Sequence, residues 1–291
     1  MAKTVWTILA LIRWADERFR KEGMATPRLD AEVLLAEALG LDRVGLYTHF
    51  DQPLQPDELA RFKEFVLRRL RREPAAYVLG RREFWSLPLL VSPDVLIPRP
   101  DTETLVSEAL KVLELPGEKE FCFLEIGTGS GAVSIALAKE LPAAKGVATD
   151  LSPKALAVAE ENALRCGVRD RIRFVQGDMF QPLGKGDAFD LIVTNPPYIP
   201  QGDFPSLMPE VRDYEPRVAL DGGKDGLAFF RRALPAVSDY LRPGGWFLAE
   251  MGAGQGPRIR TMAEKNPALD SFGFAKDLSG IDRVFKARKK P

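Results

Sequence analysis

The feature that most constrains the fold is a regular alternation of short apolar and amphipathic segments from about residue 121 onward. Segments such as "FCFLEI", "KGVATD" and "FDLIVTN" have the length and apolar content of buried strands. Between them, "AVSIALAKEL" and "PKALAVAEENALRCG" show helical periodicity. Because parallel strands need crossover connections, this alternation predicts an α/β fold with a doubly wound, mostly parallel sheet.

A smaller helical domain is expected in front of this sheet. The 291 residues exceed the needs of one small domain, and residues 4 to about 75 show helical periodicity. The stretch "FWSLPLLVSPDVLIP" mixes apolar residues with Pro and Ser, which is typical of a hairpin or linker. The sequence therefore predicts a helical domain at residues 1–80, a hairpin linker at 81–100 and an α/β domain at 101–291.

The charge balance argues against several classes of function. Lys plus Arg and Asp plus Glu both number 41, so no global positive field is available to hold a nucleic-acid backbone. The arginine-rich stretch at residues 68–72 is a local basic patch, which is either a solvated helix face or a partner contact. The apolar run near the N-terminus is short and interrupted by charges, which indicates a helix of a cytoplasmic protein without a membrane segment.

Cysteine and histidine usage limits the possible chemistry further. Cys122 and Cys166 are too few for a disulfide framework or a zinc knuckle. A Ser-His-Asp triad would have to use His49, the only histidine. We therefore expect no metal site.

The first strand–helix junction has the features of a nucleoside-binding loop. In "FLEIGTGSGAVSIALA", Gly127, Gly129 and Gly131 allow a tight turn and the close approach of a ligand to a helix N-terminus. Taken alone, this loop also fits a relaxed dinucleotide fingerprint. Asp150 ends the second strand 23 residues after Gly127, a spacing at which an acid accepts ribose hydroxyls. Asp150 could instead belong to a helix cap, although Ser152 already fills that position.

The third strand ends in "QGDMF", which brings Asp178 and Phe180 to the same edge of the predicted sheet. A carboxylate at this edge could accept the exocyclic amine of an adenine. An aromatic ring could cover one face of the bound ligand, but Phe180 could equally belong to the core.

The motif "TNPPYIP" follows the fourth strand and therefore faces the same crevice. The Asn195 side-chain oxygen and the Pro196 carbonyl, held by two prolines of fixed φ, could accept the hydrogens of a planar NH2 group. Tyr198 could stack on that group. The motif therefore predicts chemistry at an amino nitrogen that depends on orientation more than on a strong base.

These motifs together resemble those of class I S-adenosyl-L-methionine-dependent methyltransferases, whose amino-methylating members carry Asn/Asp-Pro-Pro-Tyr/Phe. More narrowly, the chain is similar to the HemK/PrmC family of peptide chain release factor glutamine methyltransferases, along nearly its whole length. The discriminating segments are "IPRPDTE" and "YEPRVALDGGKDGL", because nucleic-acid amino methyltransferases share only the NPPY core. Asp101 stands where Glu is as frequent in the family, which is a conservative departure.

The resemblance implies a Rossmann-like class I methyltransferase domain with a small N-terminal helical domain. It also implies two sets of site residues. Those that hold S-adenosyl-L-methionine are Gly127, Thr128, Gly129, Ser130, Gly131, Asp150, Asp178, Phe180 and Asn195. Those that hold the substrate are Asn195, Pro196, Pro197, Tyr198, Arg99 and Glu103, and of these Asn195, Pro196 and Tyr198 are the expected catalytic residues.

The implied reaction is methylation of the glutamine in the Gly-Gly-Gln motif of peptide chain release factors, with S-adenosyl-L-homocysteine as the product. We expect the helical domain to dock the release factor, and residues 201–216 to form a mobile lid. Three alternatives stay open on the sequence alone. They are a nucleic-acid amino methyltransferase acting on an extruded base, a dinucleotide oxidoreductase, and a binding module without activity.

Overall fold

The computed structural model describes residues 6–113, 121–184 and 186–291. The helices of these residues, labelled α1 to α11 in chain order, are Ile8–Lys21, Pro27–Leu39, Arg43–Thr48, Pro56–Leu70, Ala75–Leu79, Glu103–Val112, Ala132–Glu140, Pro153–Arg165, Pro209–Arg212, Ala228–Ala236 and Gly256–Ala263. The strands, labelled β1 to β9, are Arg81–Phe84, Leu87–Leu90, Phe121–Ile126, Ala144–Asp150, Ile172–Gln176, Phe189–Thr194, Leu241–Glu250, Leu269–Lys276 and Asp282–Lys289. None of these helices combines the length and the apolar character that crossing a membrane requires.

The chain divides into two compact units. The helical unit comprises the described residues up to Gly80 together with Pro209–Tyr214. The sheet unit comprises Arg81–Met208 and Glu215–Pro291, in its described part. Residues 81–100 thus belong to the sheet unit, in which β1 and β2 pair as an antiparallel hairpin.

The helical unit has its own apolar core. Helix α1 begins at a Thr7 cap, whose side chain accepts a hydrogen bond from the amide of Ala10 at 3.3 Å. Helix α2 ends at Gly40, whose φ of 65° lies in the left-handed region that favours glycine. The large side chains of Phe19 and Phe62 are fully buried in the core of this unit.

The arginine-rich stretch at residues 68–72 covers the end of α4 and the residues that follow it. Of its four arginines, Arg68, Arg69 and Arg72 are buried or half-buried, and Arg71 is exposed. Arg69 is buried and forms ion pairs with Asp30 at 2.8 Å and with Glu210 at 2.9 Å. Arg72 contacts the other oxygen of Glu210 at 2.6 Å. Of the two interpretations of this patch, a solvated helix face therefore fails for Arg69, whose charge is neutralised within the unit.

Within the described ranges, seven strands form one sheet in the order β5-β4-β3-β6-β7-β9-β8. The strands from β5 to β7 are parallel, whereas β9 pairs antiparallel with both β7 and β8. The predicted mostly parallel sheet is confirmed, and the antiparallel C-terminal pair is an addition. The chain moves outward from β3 in both directions, so the crevice for a ligand lies beyond the carboxyl ends of β3 and β6.

Helices cover both faces of this sheet, as a doubly wound fold requires. Alternate residues of β3 point to opposite faces, so Phe123 joins one core cluster and Leu124 joins the other. The first cluster contains apolar side chains of α6 and α7, and the second contains those of α10 and α11. Because β3 and β6 are buried on both faces, their sequences are nearly continuous apolar runs.

Candidate active site

A cavity of about 330 Å³ lies in the sheet unit beyond the carboxyl ends of β3, β4 and β6. Most of the residues proposed from sequence line it, namely Arg99, Gly127, Thr128, Gly129, Ser130, Asp150, Asp178, Asn195, Pro196 and Pro197. Its size is within the usual range for small-molecule sites. The structure therefore brings the glycine loop, two acids and the NPPY motif together.

The glycine loop leaves β3 in a conformation that side chains rarely adopt. Gly127, Gly129 and Gly131 have φ values of 71°, 55° and 81°. The amides of Gly127 and Thr128 both donate to the carbonyl of Thr149, at 2.8 and 3.0 Å. A Cβ at Gly127 or Gly129 would meet no protein atom within 4 Å, and both residues line the cavity, so glycine leaves room for a ligand close to the backbone.

Glu125, the single acid of β3, lines the cavity but was not among the site residues expected from the sequence. Its Oε2 atom accepts hydrogen bonds from Thr128 Oγ1 at 2.6 Å and from the amide of Ser134 at 3.0 Å, as well as from Ser134 Oγ. Burial raises the pKa of Glu125 to about 7, although these donors oppose the rise. The acid in "LEIGTGSG" was the available signal, because a carboxylate within an apolar strand requires partners.

Asp150 lies at the end of β4, with its carboxylate turned to the glycine loop. Its Oδ2 atom accepts from the amide of Gly129 at 2.8 Å, and Oδ1 accepts from the amide of Ser152 at 2.9 Å. Burial raises the pKa of Asp150 above its ordinary value. Ser152 caps α8 by accepting from the amide of Ala155 at 3.2 Å, so the cap does not depend on Asp150. Each carboxylate oxygen can accept a further hydrogen bond, which leaves capacity for ribose hydroxyls.

Two proposed site residues, Asp178 and Phe180, follow strand β5, and only Asp178 lines the cavity. Asp178 lines it and holds Arg232, which also lines the cavity, by an ion pair of 2.6 Å. Phe180 is 7% exposed, stacks on Tyr240 with ring centroids 4.6 Å apart and does not line the cavity. Phe180 is thus a core side chain, whereas Phe229 lines the cavity, and a role of Phe180 at the cofactor stays a prediction.

Asn195, Pro196 and Pro197 of the NPPY motif line the cavity directly after β6. The Asn195 side chain donates from Nδ2 to Thr102 Oγ1 at 3.0 Å. Within the parts of the chain that the structure describes, its Oδ1 atom receives no hydrogen bond. The amide is thus held by its NH2 side, and its acceptor oxygen is left for a ligand.

Tyr198 has a different environment from the one expected for a stacking ring. Its hydroxyl donates to Glu250 Oε1 at 3.1 Å, and its backbone carbonyl accepts from Gln255 Nε2 at 3.0 Å. Burial and the neighbouring Glu250 raise the pKa of Tyr198 above its ordinary value. The ring is not among the cavity-lining residues, so stacking of Tyr198 on a substrate stays a prediction.

The two residues proposed from "IPRPDTE", Arg99 and Glu103, have different environments. Arg99 lines the cavity and forms an ion pair with the buried carboxylate of Glu215. Glu103 accepts a hydrogen bond from the amide of Trp85 at 2.9 Å and does not line the cavity. Its carboxylate therefore anchors the turn between β1 and β2, and a role of Glu103 at the mouth of the site stays a prediction.

The comparisons with known proteins agree with this geometry. Residues 123–214 match the family model described as "Methyltransferase domain". The solved catalytic domain of hMettl16, in complex with MAT2A 3'UTR hairpin 6, has a TM-score of 0.57, covers 74% of this chain and 81% of its own, and is 17% identical. At this identity the likeness concerns the fold alone. The sheet unit thus has the Rossmann-like methyltransferase fold.

The relatives narrow this class to one family. Residues 10–80 match the model described as "PrmC N-terminal domain". The release factor glutamine methyltransferase of Geobacter sulfurreducens is 48% identical over 98% of this chain and 97% of its own length. That of Vibrio cholerae is 43% identical over 96% of this chain and 95% of its own. The chain therefore belongs to the release factor glutamine methyltransferase family, and the oxidoreductase and inert-module alternatives are set aside.

Proposed function

We propose that this protein transfers the methyl group of S-adenosyl-L-methionine to the side-chain amide nitrogen of the glutamine in the Gly-Gly-Gln motif of a peptide chain release factor. The observation that carries the proposal is the Asn195 amide, whose Oδ1 atom receives no hydrogen bond from the described residues and which lies on a cavity that also contains the glycine loop and Asp150. Family membership supports the identity of the acceptor. A translation factor as acceptor implies that the enzyme works in the cytoplasm.

The lining residues fit the proposed cofactor. Gly127 and Gly129 leave open space at the backbone, Asp150 has acceptor capacity for a ribose, and Asp178 presents a carboxylate whose position Arg232 fixes. When bound there, S-adenosyl-L-methionine supplies an electrophilic methyl group on a sulfonium sulfur. In the described residues, no group of three or more His, Cys, Asp and Glu side chains could hold a metal ion.

The chain's own contribution is to orient a weak nucleophile. The lone pair of an amide nitrogen is delocalised into the carbonyl, so the nitrogen reacts only when the methyl carbon lies in line with that lone pair. Asn195 Oδ1 and the Pro196 carbonyl accept the two amide hydrogens, which turns the lone pair toward the methyl group. S-adenosyl-L-methionine would supply the methyl carbon with its sulfur as the leaving group, and one amide proton would pass to solvent. The increase in rate comes from this alignment of the amide, which the two prolines maintain through their fixed φ.

The substitution Asn195→Ala tests this role. Loss of one preorganised hydrogen-bonding group in an active site typically costs about 10²- to 10³-fold in turnover, so we expect kcat for release factor methylation to fall by that factor. Cofactor affinity, measured by calorimetry with S-adenosyl-L-homocysteine, should change much less. Near-normal turnover in this variant would contradict the assignment.

Asn266→Ala is the matched control. Asn266 is also a partly buried asparagine of the sheet unit, and its side chain donates to the carbonyl of Leu234 at 2.9 Å. It does not line the cavity of Asn195. Equal loss of turnover in both variants would show that general destabilisation, rather than substrate orientation, explains the effect.

A further inference from the structure

A buried polar network lies behind the NPPY motif. Glu250 ends β7 and is only 1% exposed. Its Oε2 atom accepts from Thr102 Oγ1 at 2.7 Å, and its Oε1 atom accepts from the Tyr198 hydroxyl at 3.1 Å. The same Thr102 oxygen accepts from Asn195 Nδ2 at 3.0 Å. One carboxylate therefore connects both polar side chains of the motif.

The direction of these hydrogen bonds determines how the Asn195 amide faces. A threonine hydroxyl has one hydrogen, and Thr102 gives it to Glu250, which as a carboxylate can only accept. Thr102 can therefore offer Asn195 only a lone pair, so the amide must turn its NH2 group toward Thr102. The acceptor oxygen then points away from the network. Without Glu250, the hydroxyl could donate to Asn195 Oδ1 and hold the amide in the opposite orientation.

Burial of an uncompensated carboxylate would be costly, and the structure compensates this one. Burial raises the pKa of Glu250 above its ordinary value, whereas the two hydroxyl donors on its two oxygens and the guanidinium of Arg283 oppose this rise. Arg283 itself is held by Asp277 at 3.0 Å and by Asp101 at 3.2 Å. Both oxygens of the buried Glu250 carboxylate therefore have a hydrogen-bond donor.

We propose that Glu250 and Thr102 are positioning residues for methyl transfer, which set the orientation of the Asn195 amide so that its oxygen faces the substrate NH2 group. This inference rests on the proposed function. It assigns Thr102, rather than Glu103, as the residue through which the "IPRPDTE" segment serves the reaction. It also explains why that segment accompanies NPPY in this chain, since the two loops share one hydrogen-bond relay.

The experiment compares Thr102→Val, which keeps the shape but removes the hydroxyl, with Thr102→Ser, which keeps the hydroxyl. We expect kcat for methylation of a release factor to fall about 10- to 100-fold in Thr102→Val, and Thr102→Ser to stay within about threefold of wild type. The dissociation constant for S-adenosyl-L-homocysteine should stay within about threefold in both. Glu250→Gln, whose amide can donate to Thr102 and reverse the relay, should resemble Thr102→Val.

A double variant separates positioning from a merely structural role. If Thr102 acts through Asn195, Thr102→Val should cost nothing further in the Asn195→Ala background, whereas independent effects would multiply. Multiplying effects, or equal kcat in Thr102→Val and Thr102→Ser, would overturn the inference while the proposed function stands. A wild-type enzyme that leaves the release factor unmethylated would overturn the proposed function itself.

Discussion

Replacing Glu125 by Gln should change how the stability of the sheet unit depends on pH. The folded carboxyl keeps its proton up to a pKa of about 7, whereas an ordinary glutamate releases it near 4.5. Between these values ionisation favours the unfolded chain, so the wild-type free energy of unfolding falls as pH rises. At about 1.4 kcal/mol per pH unit, the loss is about 3 kcal/mol, and it is complete above pH 7. The new side chain in Glu125→Gln cannot ionise, so the free energy of unfolding of this variant does not fall for this reason as pH rises.

The assay is urea unfolding followed by tryptophan fluorescence at steps from pH 4.5 to 8, for wild type and variant. Other titrating groups are common to both proteins and cancel in the difference. We expect the stability of Glu125→Gln relative to wild type to increase by about 3 kcal/mol across this range. A flat difference for Glu125→Gln would mean that this carboxyl titrates in the folded protein as it does in the unfolded chain, which would refute the reasoning.

Three further predictions concern the cofactor site and the two cores. Asp150→Asn should weaken binding of S-adenosyl-L-homocysteine about 10-fold by calorimetry, because a charged acceptor is lost. Gly146→Ala should destabilise the protein by about 1–3 kcal/mol in urea, because its Cβ would lie 2.3 Å from the ring of Phe123. Arg69→Met should cost about 3–5 kcal/mol in the same assay, because it leaves Asp30 buried without its cation and Glu210 with Arg72 alone.

Each of these substitutions has a control elsewhere in the chain. Asp239→Ala, outside the cavity lining, should leave cofactor affinity unchanged. Gly202→Ala, where a Cβ meets no atom within 4 Å, should change stability by less than about 0.5 kcal/mol. The same limit applies to Arg71→Met, since Arg71 is exposed. A test variant that matches its control would contradict the corresponding prediction.

The sequence predicted the position of the site because strand ends are readable along the chain. The glycine loop, Asp150 and NPPY each follow an apolar run, and parallel strands bring such ends to one edge. The sequence did not show which face of the sheet a side chain near a strand end occupies. Phe180 is two residues from Asp178, yet its ring enters the core and stacks on Tyr240.

The sequence also did not predict the hydrogen-bond partners of the NPPY motif. Thr102 is 93 residues from Asn195 and 148 from Glu250, and no local pattern specifies contacts at such separations. The same holds for Glu210, which lies 141 residues from Arg69 and joins the helical unit as part of Pro209–Tyr214. This segment falls within the predicted lid at residues 201–216, whose mobility stays a prediction.

The most direct test of the central claim is transfer of labelled methyl from S-adenosyl-L-methionine to three acceptors in parallel. These are a peptide chain release factor, the same factor with its Gly-Gly-Gln glutamine replaced, and bulk nucleic acid. We predict label on the intact factor alone. Label on nucleic acid alone would leave the NPPY mechanism in place but contradict the proposed substrate, and equal label on both forms of the factor would contradict the proposed acceptor atom.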